Sequence, residues 1–155
     1  LFNKILYYRK SRYYVCRRRK NLHGQRYAVG LASGYDINDE IDRFRIINES
    51  RGFEMFINCA HNKYGQTLLL EDFVKRNPDM KVVNVGSRVT EITLPPTHNH
   101  LIDYQKHKLS LKAACEKYGY EYVWFGYVAT ERVKRELPHV SKITIEEAVN
   151  AILES

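Results

Sequence analysis

The sequence predicts one compact mixed α/β unit, residues 1–155, in which a basic β-hairpin over residues 1–35 precedes an α/β core over residues 36–155. Three observations carry that expectation. The 155 residues, 44% of them hydrophobic, suffice for one buried core and not for two ordinary ones. Beyond residue 36 the apolar spacing switches repeatedly between a period of two and a helical period, so strands and helices alternate. All the charge asymmetry lies at the front: residues 1–35 hold nine Lys or Arg and no acid, against sixteen bases and eighteen acids in residues 36–155.

In the first segment Arg12 to Arg18 reads as an extended strand, with Arg12, Tyr14, Cys16 and Arg18 on one face. A polar connection containing Asn21 and Gly24 leads to a second strand from Arg26 to Ala32, whose alternate small residues Ala28, Gly30 and Ala32 permit close approach by another backbone or by nucleic acid. Tyrosines interleaved with arginines suit stacking on bases and contacts to phosphates, whereas a membrane-surface segment would show a helical period with Leu or Phe opposite its bases. Arg9, Arg12, Tyr14, Arg17, Arg18, Arg19, Lys20 and Arg26 are therefore the candidate nucleic-acid contacts. A basic hairpin backed by a helix resembles the small DNA-binding modules attached to integrases and some homing endonucleases.

The core elements follow in order. Asp36 is an N-cap for a helix ending near Gly52, with Ile37, Ile41, Phe44 and Ile47 as its apolar stripe. Phe53, Met55, Ile57 and Cys59 alternate as a strand; Thr67 caps a helix that Pro78 terminates. Two strands, Lys81–Val85 and Val89–Leu94, are joined by a tight turn at Gly86 and Ser87. A helix runs from about Leu101 to Gly119, and Glu121–Val128, apolar on both faces, reads as a central covered strand. Thr144 and Glu147 form a capping box for a helix carrying Ile145, Ala148, Val149 and Ile152.

Pro78-Asp79, eleven residues, then Glu91-Ile92-Thr93 resembles the PD-(D/E)xK signature of the restriction-endonuclease-like superfamily. The order of elements from Val89 to Val128 is similar to that of its transposon-end-cleaving and mismatch-repair branches. The resemblance implies a mixed sheet flanked by helices, with Asp79 and Glu91 on adjacent strands holding Mg²⁺ or Mn²⁺ to activate water at a scissile phosphate. Thr93 stands where that pattern has its lysine, so the lysine would come from the following helix, with Lys106, Lys108 and Lys112 the candidates. The expected function is a metal-dependent DNA endonuclease gripping its substrate with the basic arm. The alternative is a non-catalytic DNA- or RNA-binding protein, such as a viral, structural or ribonucleoprotein component.

His98, His100 and His107, with Asp103 among them, and Cys59 with His61, are competing sets for a transition metal, though loop and core-margin roles explain them more simply and structural zinc is not the favoured expectation. Three cysteines without a CxxC pair argue against a disulfide framework, and no apolar run is long enough for a membrane span. The start of the sequence lacks the charged region and apolar core of a signal peptide, and its first residue is not Met, so the natural chain is expected to begin upstream. An intracellular setting, cytoplasmic or nucleoid-associated, with nucleic acid as partner and no membrane, follows as the expectation; a protein partner or a homodimer is compatible with it.

Overall fold

Two short runs, Met55–Asn58 (β3) and Lys81–Val85 (β4), organise the molecule, because most of their residues are buried and apolar and both faces are covered. The computed structural model describes residues 16–20, 26–30, 34–95 and 97–155, the first two stretches as backbone. These form β1 (Cys16–Lys20) and β2 (Arg26–Gly30), followed by α1 (Glu40–Ser50), β3, α2 (Gly65–Arg76), β4, α3 (Asn99–Tyr118) and β5 (Glu121–Val123). Then come β6 (Tyr127–Val128), α4 (Glu131–Glu136), β7 (Lys142–Ile143) and α5 (Ile145–Glu154). The mixed α/β class expected from the sequence is present.

The main sheet has the order β2-β1-β3-β4-β5, with β3, β4 and β5 parallel and β1 antiparallel to both of its neighbours. Thus β1 is an interior strand: it pairs Arg17 with Val29 of β2 and with Phe56 of β3. Alternation along the parallel strands sends Phe56 and Val82 into a core shared with Ile46 and Ile47 of α1, Leu69, Leu70 and Phe73 of α2, and Leu111, Ala114 and Cys115 of α3. Met55, Ile57 and Val83 point the other way and meet Ile152 of α5. Helices therefore cover both faces, and each fully buried large side chain, such as Phe56 against Phe73, contributes about 1.5–3 kcal/mol.

Several helix termini follow local rules. Asp39 caps α1 by accepting from the N–H groups of Ile41 and Asp42, and Gly52 lies just past its end at φ +83°. Gly119 closes α3 in the left-handed region, φ +72°. The capping box of Thr144 and Glu147 opens α5 as expected. No helix of the described residues is long and apolar enough to cross a membrane.

Four expectations are corrected. The segment 89–94 is not a strand: Arg88–Glu91 is a single 3-10 turn begun by Ser87, whose Oγ accepts from Val89 N–H, while Gln105 of α3 donates to the carbonyls of Val89 and Ile92. A side chain thus satisfies the groups that a sheet neighbour would have taken. Glu121–Val128 is not one central strand, because β5 is an edge strand that stops at Val123, and Tyr127–Val128 pair instead with β7 in a separate two-stranded sheet. The buried face of α1 is Arg43, Ile46, Ile47 and Ser50, leaving Ile41 64% and Phe44 44% exposed. Arg43 takes the interior place by donating to Asp72 at 2.7 Å and to the carbonyls of Ile37 and Asn38. Finally, two caps are displaced: α2 starts at Gly65, so Thr67 lies in its first turn and is not its cap, and α1 is capped by Asp39 and not by Asp36.

Candidate functional site

Parallel strands collect their following loops at their carboxyl ends, and there a chain of polar groups runs through the interior. Asn58 and Asn84, the last register pair of β3 and β4, are both fully buried. Asn58 Nδ2 donates to Asn84 Oδ1 at 2.9 Å and to the Gln66 carbonyl at 3.0 Å, and Asn84 Nδ2 donates to the Glu121 carbonyl at 3.2 Å. Gln66, in the first turn of α2, returns its Nε2 to the carbonyls of Asn58 and Val85. Its Oε1 accepts from Lys108 Nζ at 2.7 Å, which also donates to Val85 O at 3.1 Å.

Lys108 is thereby a cation at 3% exposure whose described partners are neutral oxygens and the Tyr104 ring, 5.7 Å away. Burial lowers it to about 8, opposed by nearby Cys59. His61, in the loop after β3, packs edge-on against Tyr104 at 4.7 Å and lies 5.7 Å from His107. Desolvation, then the charge of Lys108 and the neighbouring His107 ring, push His61 down to about 4, although the residue as a whole is exposed. Tyr64, the residue preceding α2, contacts the His107 ring at 4.5 Å. Burial raises the Tyr104 phenol against an opposing hydrogen bond to Ser87. Among the contacts described, none of Lys108, His61 and His107 meets a carboxylate, so the cluster can donate hydrogen bonds and positive charge to a ligand.

The residues expected to act together divide among three places. Asp79 is exposed in the turn before β4, beside a surface depression lined by Arg51, Arg76 and Asn77. Glu91 lies beyond the opposite end of that strand. Five strand residues at about 3.3 Å each separate the two carboxylates, so Asp79 and Glu91 do not share a metal position. Glu91 instead accepts from Lys112 Nζ at 2.8 Å and from Thr90 Oγ1, contacts that hold its carboxyl below the usual range. Lys106 pairs with Asp103 on the α3 surface. His98 and His100 neighbour each other with ring centroids 6.5 Å apart, while His107, about two helical turns on, joins His61 and Tyr64. Among the described residues no group of three or more His, Cys, Asp or Glu could hold a metal ion.

Of the expected nucleic-acid contacts, Arg9, Arg12 and Tyr14 lie outside the described residues; Arg17, Arg18, Arg19, Lys20 and Arg26 are placed by backbone register on β1 and β2. Sequence reasoning did not find Asn58, Gln66 and Asn84, whose signal was an amide closing each of two apolar strand runs and one opening a helix. No protein-family model, curated protein or solved structure matches the chain.

Proposed function

We propose that the protein is a non-catalytic nucleic-acid-binding protein that grips phosphates with β1 and β2, acting inside the cell. The observation carrying this reading is the register of that strand pair: Lys20 stands directly opposite Arg26, and Arg19, Arg18 and Arg17 follow along β1. Like charges facing each other across an antiparallel pair disfavour the pairing, and residues 1–35 contain no acid to offset them. Bound phosphates reverse the sign of that interaction and release counterions as they do so. The carboxylates of Asp79 and Glu91 have no common metal position, so no hydrolytic step and no Mg²⁺ are assigned here.

Fluorescence anisotropy with duplex DNA, and with single-stranded RNA beside it, tests the proposal across a salt series. Wild type should show a steep loss of affinity with salt. The triple variant Arg17→Glu, Arg18→Glu, Arg19→Glu should bind at least tenfold more weakly, with a slope reduced by about three, one per lost phosphate contact. Unchanged binding in a variant that unfolds at the wild-type temperature would remove the strand pair from the interface.

A further inference from the structure

We propose that the carboxyl ends of β3 and β4 form a second site, for a single phosphate group, in which Lys108, His61 and His107 surround the open amino end of α2. The site stands apart from the strand-pair reading and does not depend on it. Tyr64 precedes α2 without a side-chain cap, and no acidic residue lies in the first turn, so the helix presents its positive end unneutralised. A separate observation points to a ligand at the same spot. Thr67, 7% exposed and in that first turn, has an Oγ1 with no hydrogen-bond partner, and helical Cβ bonds tilt toward the amino end. A buried hydroxyl is normally satisfied, and an oxyanion would supply the missing acceptor.

The polar groups converge on the same turn from two elements, α3 and the loop after β3. Lys108 of α3 reaches Gln66 and the end of β4, His107 of α3 packs on Tyr64 with its Nδ1 unpartnered, and His61 arrives from the loop after β3. A buried ammonium held only by neutral oxygens is costly. A phosphate would compensate that charge, accept from the imidazoles and take up the dipole of α2 at once. The same chemistry is offered by a free phosphate monoester and by the terminal phosphate of a nucleic-acid strand.

The test titrates the full chain with inorganic phosphate at fixed ionic strength while following the imidazole C–H resonances of His61 and His107. Saturable shifts are expected, with His61 becoming easier to protonate as the anion fills the site. Lys108→Met should weaken phosphate binding by roughly tenfold, the loss of one charge-assisted contact. Because that buried substitution can unfold the chain, His61→Gln and His107→Gln, at less buried positions, give a second route, each weakening binding several-fold at unchanged melting temperature. Non-saturating shifts, or equal affinity in wild type and all folded variants, would overturn the site. Competition by a 5′-phosphorylated oligonucleotide that its 5′-hydroxyl twin cannot match would assign a strand end; competition by adenosine monophosphate alone would assign a free monoester. The Arg17, Arg18, Arg19 reversal should leave phosphate binding intact, which separates this site from the strand pair.

Discussion

Lys108 Nζ lies 2.7 Å from Gln66 Oε1 and so joins α3 to the first turn of α2 directly above the ends of β3 and β4. The lysine is held at about 8 by burial, whereas the unfolded chain would protonate it up to its ordinary value of 10.5. Between those limits the unfolded state binds more protons, so this group's contribution to stability rises with pH from about 8 to about 10.5, by up to about 3 kcal/mol, and is lost again as pH falls through 8. Urea midpoints at pH 7.5, 8.5 and 9.5 should climb less steeply in Lys108→Met than in wild type. Parallel slopes would mean that Lys108 is ordinarily solvated.

His61 should titrate near 4 in the free protein, well below the ordinary 6.5, since desolvation and then Lys108 and His107 disfavour its imidazolium. Its folded state therefore takes up fewer protons than the unfolded one from about 6.5 down to 4, and stability falls with acidity across that window. A proton NMR titration measures the midpoint directly. In Lys108→Met, with one neighbouring cation gone, the midpoint should move up; a midpoint at 6.5 in wild type would show the ring to be fully hydrated.

Gly86 follows β4 beneath the ring of Tyr122, where an added Cβ would fall 2.1 Å from the tyrosine Cζ. Gly86→Ala should destabilise the fold by about 1–3 kcal/mol through that overlap. Tyr122→Ala in the same chain should remove most of the penalty, a non-additivity that chemical denaturation of the two single variants and the double variant would read.

Arg43 and Asp72 connect α1 to α2 through a 2.7 Å ion pair with side chains 9% and 13% exposed. Asp72→Ala leaves the guanidinium buried with only the carbonyls of Ile37 and Asn38, and should cost about 3 kcal/mol. Arg43→Met together with Asp72→Ala should recover part of that loss, because the second change removes the uncompensated charge. A double variant less stable than Asp72→Ala alone would contradict this account.

Local signals were readable where one residue acts on its own neighbours. Gly52 and Gly119 mark the ends of α1 and α3, and Thr144 with Glu147 opens α5, because a cap is decided within one turn. Signals that depend on distant partners were not. Residues 89–94 alternate like a strand, yet Gln105, sixteen residues beyond Val89, claims their carbonyls. The stripe of α1 was misplaced because Arg43, a residue sequence reasoning sends to solvent, is drawn inside by Asp72. Lys106, Lys108 and Lys112 were equal candidates for one lysine of a nuclease site, and nothing in the sequence told them apart: Lys112 pairs with Glu91, Lys106 with Asp103, and the neighbour of Lys108, Gln66, carries no signal until β3 and α2 are in place.

The face of the sheet formed by Met55, Ile57 and Val83 is closed by Ile152 of α5, which is made long after β3 and β4 leave the ribosome tunnel. At usual elongation speeds the stretch between Val85 and α5 takes roughly 3–12 seconds to synthesise. At the start of that interval a nascent chain holds β3 and β4 with only α1 and α2 made, and by its end α3 and the third parallel strand, β5, have been added while the face of Met55, Ile57 and Val83 still lacks Ile152. The last layer of this sheet therefore rests on a single ten-residue helix, and the chain cannot complete its second face until that helix has been made.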